Sequence, residues 1–296
     1  GYFRRFIRNF EKRVGINRTV GSLRAYSNAY SHIERFLQAQ YKLSDIPFSA
    51  LDRSFIDKYD LYLRTERNLA PGTIINLTVQ LKTIVGEAIA GIITASPFMG
   101  YEPMRPKHVQ KYLTAEELHR IMTTPLHRQT LYHVRDMFLF SCFTGIPYGD
   151  MRLLTKDNLC LAEDGIWWIK SARQKTKIEF EIPLLDLPLQ ILKKYSGTAP
   201  GDKLLPMYCN STLNLYLKEI ARICHIDRPL VFHAGRHTYA TEITLSHGVP
   251  LETVSRMLGH SQIETTQIYA KVTDEKIDAD TKALNRKISE RFSVVI

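Results

Sequence analysis

Residues 258–272 read LGHSQIETTQIYAKV, and a short way upstream residues 233–237 read HAGRH. Gly259 is a C-cap signal for a helix that ends there, and Ser261, followed three residues later by Glu264, is a capping-box signal for a new one. Pro250 marks the start of the earlier helix, because the first turn tolerates a residue without an amide hydrogen. His260 is therefore expected at a helix-to-helix corner, with Tyr269 about two turns into the helix that follows.

The two clusters supply two imidazoles, His233 and His260, one guanidinium, Arg236, and one phenol, Tyr269. Such a set can hold and attack a phosphodiester without a metal ion. A DNA phosphate is anionic and its alkoxide leaves poorly, so a catalyst must neutralise the non-bridging oxygens, supply a nucleophile and protonate the departing oxygen. Arg236 suits the first task, since a guanidinium stays charged and matches a phosphate bidentately. Tyr269 suits the second, because a phenol that attacks phosphorus conserves the bond energy as an aryl phosphodiester. Each piece alone is common: H-x-x-R is usually a surface pair, and a lone tyrosine usually packs in a core. Their conjunction carries the signal.

With a third element, Arg173-Gln174-Lys175-Thr176, the chain resembles the tyrosine recombinases of the phage-integrase type, with the elements in the family's order and at its intervals. The resemblance implies a 3′-phosphotyrosine intermediate on Tyr269. It also implies that Lys175 delivers a proton to the leaving 5′-hydroxyl, and that His233 and His260 bond the phosphate or help take the tyrosine proton. No ATP, metal or other cofactor is expected. Two β-rich runs, 165–171 and 177–183, flank the lysine, and Ile178, Phe180 and Ile182 alternate with charged residues as in a half-buried strand. Residues 172–176 make the turn. Arg173 and Lys177 flank Lys175 and serve equally well as the phosphate contacts, with Lys175 the preferred choice.

One position departs from the family. Its first arginine follows a Thr-Gly-Leu-like triplet, whereas here Thr144-Gly145-Ile146 runs into Pro147, which offers neither charge nor amide hydrogen. Asp150 stands where the family has an acidic group. Some integrases of conjugative and mobilizable elements also lack this arginine, and the resemblance is closest to that branch. Arg135, on the helix before the Thr144-Gly145 turn, is the preferred replacement. Arg152, five positions past Pro147, points away if the helix already runs there.

The net charge is +10, and residues 1–110 hold 16 Lys and Arg against 9 Asp and Glu, an asymmetry that favours a polyanionic partner. Cys142, Cys160, Cys209 and Cys224 lie far apart without a C-x-x-C, which argues against a zinc site or a disulfide framework and for a reducing cytoplasm. No run approaches a membrane span, and no leader peptide is visible.

Helical periodicity dominates the first third: Leu23 to Leu37, then Ile56, Tyr59, Leu61 and Leu63, then a helix from Pro71 to about Ala90. On the last, Ile74, Leu77, Leu81, Ile84 and Val85 face inward, while Thr73, Asn76 and Gln80 form a polar stripe expected to meet DNA. Residues 96–108 read as a linker whose Arg105 and Lys107 suit a strap across the backbone. Thr114 and Glu117 form a capping box that opens the second domain.

The expected fold is mainly α with a small antiparallel β-sheet. Residues 1–14 end a possible upstream region, 15–100 form a helical core-DNA-binding domain, 101–112 a linker, and 113–296 an α+β catalytic domain with a C-terminal tail helix. In the tail, Ile277, Leu284, Ile288 and Phe292 stand near helical spacing and suit docking on a neighbouring protomer. The resemblance implies a recombinase that works as a homotetramer on synapsed double-stranded core sites, with accessory DNA-bending or excision factors, in the nucleoid. A catalytically degenerate DNA-binding relative would form no covalent adduct. A type IB topoisomerase-like enzyme would relax DNA as a monomer without a target sequence.

Overall fold

The computed structural model describes residues 1–90, 96–105, 110–270 and 274–289, so Lys107, Phe292 and the final residues lie outside it. The chain divides into two compact units, Gly1–Val109 and Gln110–Ile296.

The first unit is built from α1 (Tyr2–Glu11), α2 (Val20–Tyr41), α3 (Arg53–Thr65) and α4 (Pro71–Ile89). Thr19 and Asp52 cap α2 and α3 through their side chains, each accepting from a backbone N–H three residues on. Pro71 occupies the first turn of α4, as its fixed φ allows. The core gathers Ile33, Phe36, Ile56, Tyr59, Leu63, Ile74, Leu77 and Leu81, with Phe36 in edge contact with Phe55. The inward face of α4 follows the periodicity, and Thr73 and Asn76 are exposed, with Gln80 half-buried. Leu61 departs from it: the residue is 59% exposed, because the buried face of α3 runs through Tyr59, Tyr62 and Leu63. Arg105 is exposed.

The second unit opens with α5 (Ala115–Thr123), and both bonds of the Thr114–Glu117 capping box are formed. Next come α6 (Gln129–Thr144) and the one-turn α7 (Tyr148–Met151), then a three-stranded antiparallel sheet of β1 (Leu159–Leu161), β2 (Trp167–Ala172) and β3 (Glu179–Pro183). β1 escaped the periodicity reading, being three residues of mixed burial. The α8 (Asp186–Lys194) and α9 (Asn210–Ile223) helices pack on α6, which is the spine of this unit: Leu131, Val134, Met137, Phe138, Phe140 and Cys142 on it are all buried.

The remaining elements are α10 (Ala234–Thr238), a π-helical turn (Tyr239–Thr244), α11 (Leu251–Met257), the one-turn α12 (Glu264–Gln267) and α13 (Asp274–Ser289). Gly235 lets α10 sit close on α6: a Cβ there would lie 2.8 Å from the Ser141 hydroxyl and 3.3 Å from the Cys142 amide nitrogen. Among the described residues no helix is long and apolar enough to cross a membrane, and no three His, Cys, Asp or Glu side chains cluster as metal ligands. All four cysteines are free.

Candidate active site

The site is assembled where two helices end. Gly145, with φ +70°, closes α6; Gly259, with φ +63°, closes α11. At the second end the His260 amide donates to Ser255 O and the Gly259 amide to Arg256 O, the paired bonds of a Schellman motif. That motif fixes His260 as the first residue to leave the helix.

Arg236, on α10, is only 3% exposed. Its Nη1 donates to Gly145 O at 2.9 Å, and its Nη2 to Leu258 O at 2.7 Å. Carbonyls at helix C-termini lack intrahelical partners and carry the negative end of the helix dipole, so each end of this pair wants a cation. Arg236 bridges both. Burial and the nearby charge of Arg173 push its pKa down to about 10, which leaves it protonated at neutral pH.

Nη2 also lies 2.8 Å from His260 Nε2. A guanidinium can only donate, so Nε2 must be the bare nitrogen of the ring, and the proton sits on Nδ1. Nδ1 in turn donates to the Thr266 hydroxyl at 2.7 Å. Thr266 is fully buried, and its carbonyl accepts the Tyr269 amide at 2.9 Å. Arg236 thus sets the tautomer of His260, and one threonine both receives the ring's proton and holds the turn that carries Tyr269.

Tyr269 does not lie two turns into a helix. The Ser261–Glu264 capping box is not the start: α12 begins after Ile263, runs a single turn, and Tyr269 follows it in a turn. Its ring is 6% exposed, stacks on His260 at 6.3 Å between centroids and meets the edge of His237 at 5.1 Å. The phenol lies against Arg236. His237 also packs edge-on against His233 at 4.9 Å. Burial, then Arg236 and Arg173, lowers the His260 pKa to about 4, and burial, His233, Lys111 and Arg236 do the same for His237. His233, exposed along one side at the N-cap of α10, is lowered by the packing around it and by Arg236, Arg173 and Lys111. The three imidazoles are therefore neutral at pH 7, and the Nε2 lone pair of His260 is already taken by Arg236.

Lys175 is exposed in the three-residue turn between β2 and β3. The loop is closed by the Arg173 amide on Ile178 O and the Lys177 amide on Arg173 O, both at 2.8 Å, with Lys177 at φ +61°. Gln174 N donates to Asp150 Oδ1 at 2.9 Å, which ties the loop to α7. Arg173 points into the cluster and pairs with Asp150 Oδ2 at 3.1 Å, whereas Lys177 is exposed.

Pro147 is the N-cap of α7 and brings no charge. Arg135 does not fill the gap. Its Nη1 donates to Met122 O and Thr124 O, both at 3.3 Å, and its guanidinium lies over the Tyr132 ring. Its captors are the open carbonyls at the end of α5, and none of its contacts belongs to the cluster. Arg152 is exposed beyond α7. Tyr239, an alternative nucleophile, is buried with its hydroxyl on the Met257 sulfur. No local signal marks the roles of His237 and Thr266 or the inward course of Arg173. HAGRH holds His237 in plain view, but nothing in a pentapeptide tells which of two imidazoles faces the phenol.

A fold that brings a buried arginine, a phenol and neutral imidazoles to two helix ends, with a lysine hairpin beside them, defines an enzyme of phosphodiester strand transfer. The chain belongs to the phage integrase family, whose profile matches residues 111–276, and residues 2–103 match the phage integrase SAM-like domain. It is 25% identical to the tyrosine recombinase XerD of Listeria monocytogenes serovar 1/2a over 86% of this chain and 89% of that protein. It is likewise 25% identical to XerD of Halalkalibacterium halodurans, over 73% and 81%. Among solved structures, the integrase of transposon Tn1549 in complex with transposon right end DNA superposes with a TM-score of 0.72 at 19% identity, covering 96% of this chain and 98% of that one. A lambda integrase dimer bound to a core site gives 0.72 at 17% identity, covering 92% and 98%.

Proposed function

We infer that this tyrosine recombinase cuts and rejoins DNA at a specific site through a covalent bond to Tyr269, and so integrates or excises a mobile element. The observation that carries the reading is the placement of the Tyr269 phenol against Arg236 and between His237 and His260. In the reaction Arg236 would hold a non-bridging oxygen of the scissile phosphate while the phenol oxygen attacks phosphorus and gives its proton to a neutral imidazole. The P–O5′ bond breaks, the leaving oxygen takes a proton, and the DNA is left as a 3′-phosphotyrosine beside a free 5′-hydroxyl. Attack by a 5′-hydroxyl from the partner duplex reverses each step and restores the phenol. Incubation with a nicked suicide substrate tests this: a covalent protein–DNA band is expected, and its absence under conditions of full duplex binding would favour a DNA-binding relative without chemistry.

Lys175 is assigned the proton for the leaving oxygen because the closed loop holds it at a fixed point beside Arg173 while leaving its ammonium exposed. Lys175→Ala is expected to slow cleavage by about a hundredfold or more. A substrate with a 5′-bridging phosphorothiolate should then recover most of the rate, since a thiolate leaves without a proton. No recovery would move the role to Lys177.

Double-stranded DNA is the partner, and the assembly is proposed to be a homotetramer on two core sites with accessory factors, working on the nucleoid in the cytoplasm. Thr73, Asn76, Gln80, Arg105, Lys107 and Lys177 are proposed backbone contacts. Leu284 and Ile288 support a protomer-docking role for α13: they are 56% and 42% exposed, apolar side chains uncovered by their own chain. The side chain of Ile277 lies outside the described residues. Truncation before residue 280 should leave single-site binding intact and reduce synapsis on a native gel; normal synapsis would return the helix to a purely structural role.

A further inference from the structure

Pro147 leaves the site with one guanidinium, Arg236, three of whose donors are already taken by Gly145 O, Leu258 O and His260. A phosphate passing to a five-coordinate dianion spreads charge over two non-bridging oxygens, and a single, half-occupied guanidinium covers that poorly. The structure holds a second arginine beside it.

Arg173 leaves β2 with its backbone pinned at the base of the loop, both N–H and C=O being bonded across it. Its stem runs against Gly259: a Cβ on that residue would lie 2.9 Å from Arg173 Cγ, so the glycine that closes α11 is also the gap through which the arginine passes. The guanidinium reaches Asp150 on α7, three residues after Pro147, and so arrives beside the turn where the charge is missing. Asp150 is 6% exposed and uses its other oxygen to hold Gln174 N. The approach of Nη1 to Asp150 is short but poorly aligned for a hydrogen bond, leaving this buried nitrogen without a partner. The positive field of Arg173 is felt at Arg236, His233 and His260 alike. Arg135, by contrast, turns its Nη1 to Met122 O and Thr124 O, away from these groups.

We propose that Arg173 is the second phosphate-binding guanidinium of this enzyme, taking the place left by Pro147, with Asp150 as its positioning residue. One hairpin then carries both the second positive charge and the proton donor Lys175, so that docking of the β2–β3 loop completes the site in a single step. The assignment rests on the recombinase reading.

The test compares single-turnover cleavage of two suicide substrates, one with a normal scissile phosphate and one with an uncharged methylphosphonate there. Arg173→Ala is expected to cleave the phosphate about a hundredfold more slowly than the parent. On the methylphosphonate, where the charge to be neutralised is already gone, the deficit should shrink to less than about tenfold, while Lys175→Ala keeps its full deficit on both. Duplex binding and thermal melting report whether Arg173→Ala remains folded. If it does not, Arg173→Lys is used, which keeps the charge without the fork and should show a smaller deficit with the same dependence on substrate. Equal deficits on the two substrates, or cleavage at the parental rate, would overturn the proposal. If the parent forms no adduct with either substrate, it is the recombinase reading that fails.

Discussion

Tyr269→Phe is expected to abolish the covalent protein–DNA complex while leaving duplex affinity within about twofold, because one oxygen is removed and the ring remains. The ring does the packing: it is buried between His237 and His260, and phenylalanine fills the same space. The Tyr269 amide, which holds the turn to Thr266 O, is untouched. A suicide-substrate gel therefore isolates chemistry from folding. An adduct at parental level in the mutant would place the nucleophile on another residue. Tyr239 is a poor alternative, since burial raises its pKa and its hydroxyl lies on Met257 in the core.

Arg236→Gln is expected to slow cleavage by about a hundred- to a thousandfold, the range found when one donor to a developing oxyanion is removed from an enclosed site. A loss of stability should accompany it. Gly145 O and Leu258 O are buried beside the guanidinium and would each lose a charged donor, at about 1–3 kcal/mol for each carbonyl left unpaired. His260 would lose the N–H that selects its tautomer. Arg236→Lys should rescue less than charge conservation suggests, because an ammonium cannot span two helix ends and the imidazole as a planar fork does. Single-turnover rates measured beside thermal melting separate the two effects. A variant that melts early but cleaves at the parental rate would make Arg236 a structural strut alone.

Much of the helical framework was legible because burial writes a 3.6-residue period. The inward face of α4 and the alternation in β3 are read directly from apolar spacing. Leu61 fits the apolar spacing of α3, but the helix buries the face of Tyr59, Tyr62 and Leu63 and leaves Leu61 exposed. Local signals failed where they competed. Ser261-x-x-Glu264 is a good cap sequence, but the Schellman closure of α11 commits the His260 amide backward to Ser255, and the chain needs residues 261–263 to turn before a helix can begin. The consequence is that Tyr269 ends a single turn instead of riding along a helix.

Residue types and their spacing already contain the chemical inventory of the site: one phenol, a set of imidazoles, a lysine between two strands, and a proline where a positive charge is wanted. Those are properties of residue type and local spacing, and they survive any error about tertiary contacts. Which arginine stands near the phosphate-binding groups depends on long-range packing. Arg135 is closer in sequence to the Thr144-Gly145 turn, yet its side chain leaves α6 toward the open carbonyls at the end of α5. Arg173 is farther along the chain, yet Asp150, the glycine gap at Gly259 and the closed β2–β3 loop bring its guanidinium to Arg236 and His260. Sequence distance sets neither outcome. Each guanidinium goes to the nearest uncompensated negative charge or unpaired carbonyl, and where those lie depends on how the helices pack.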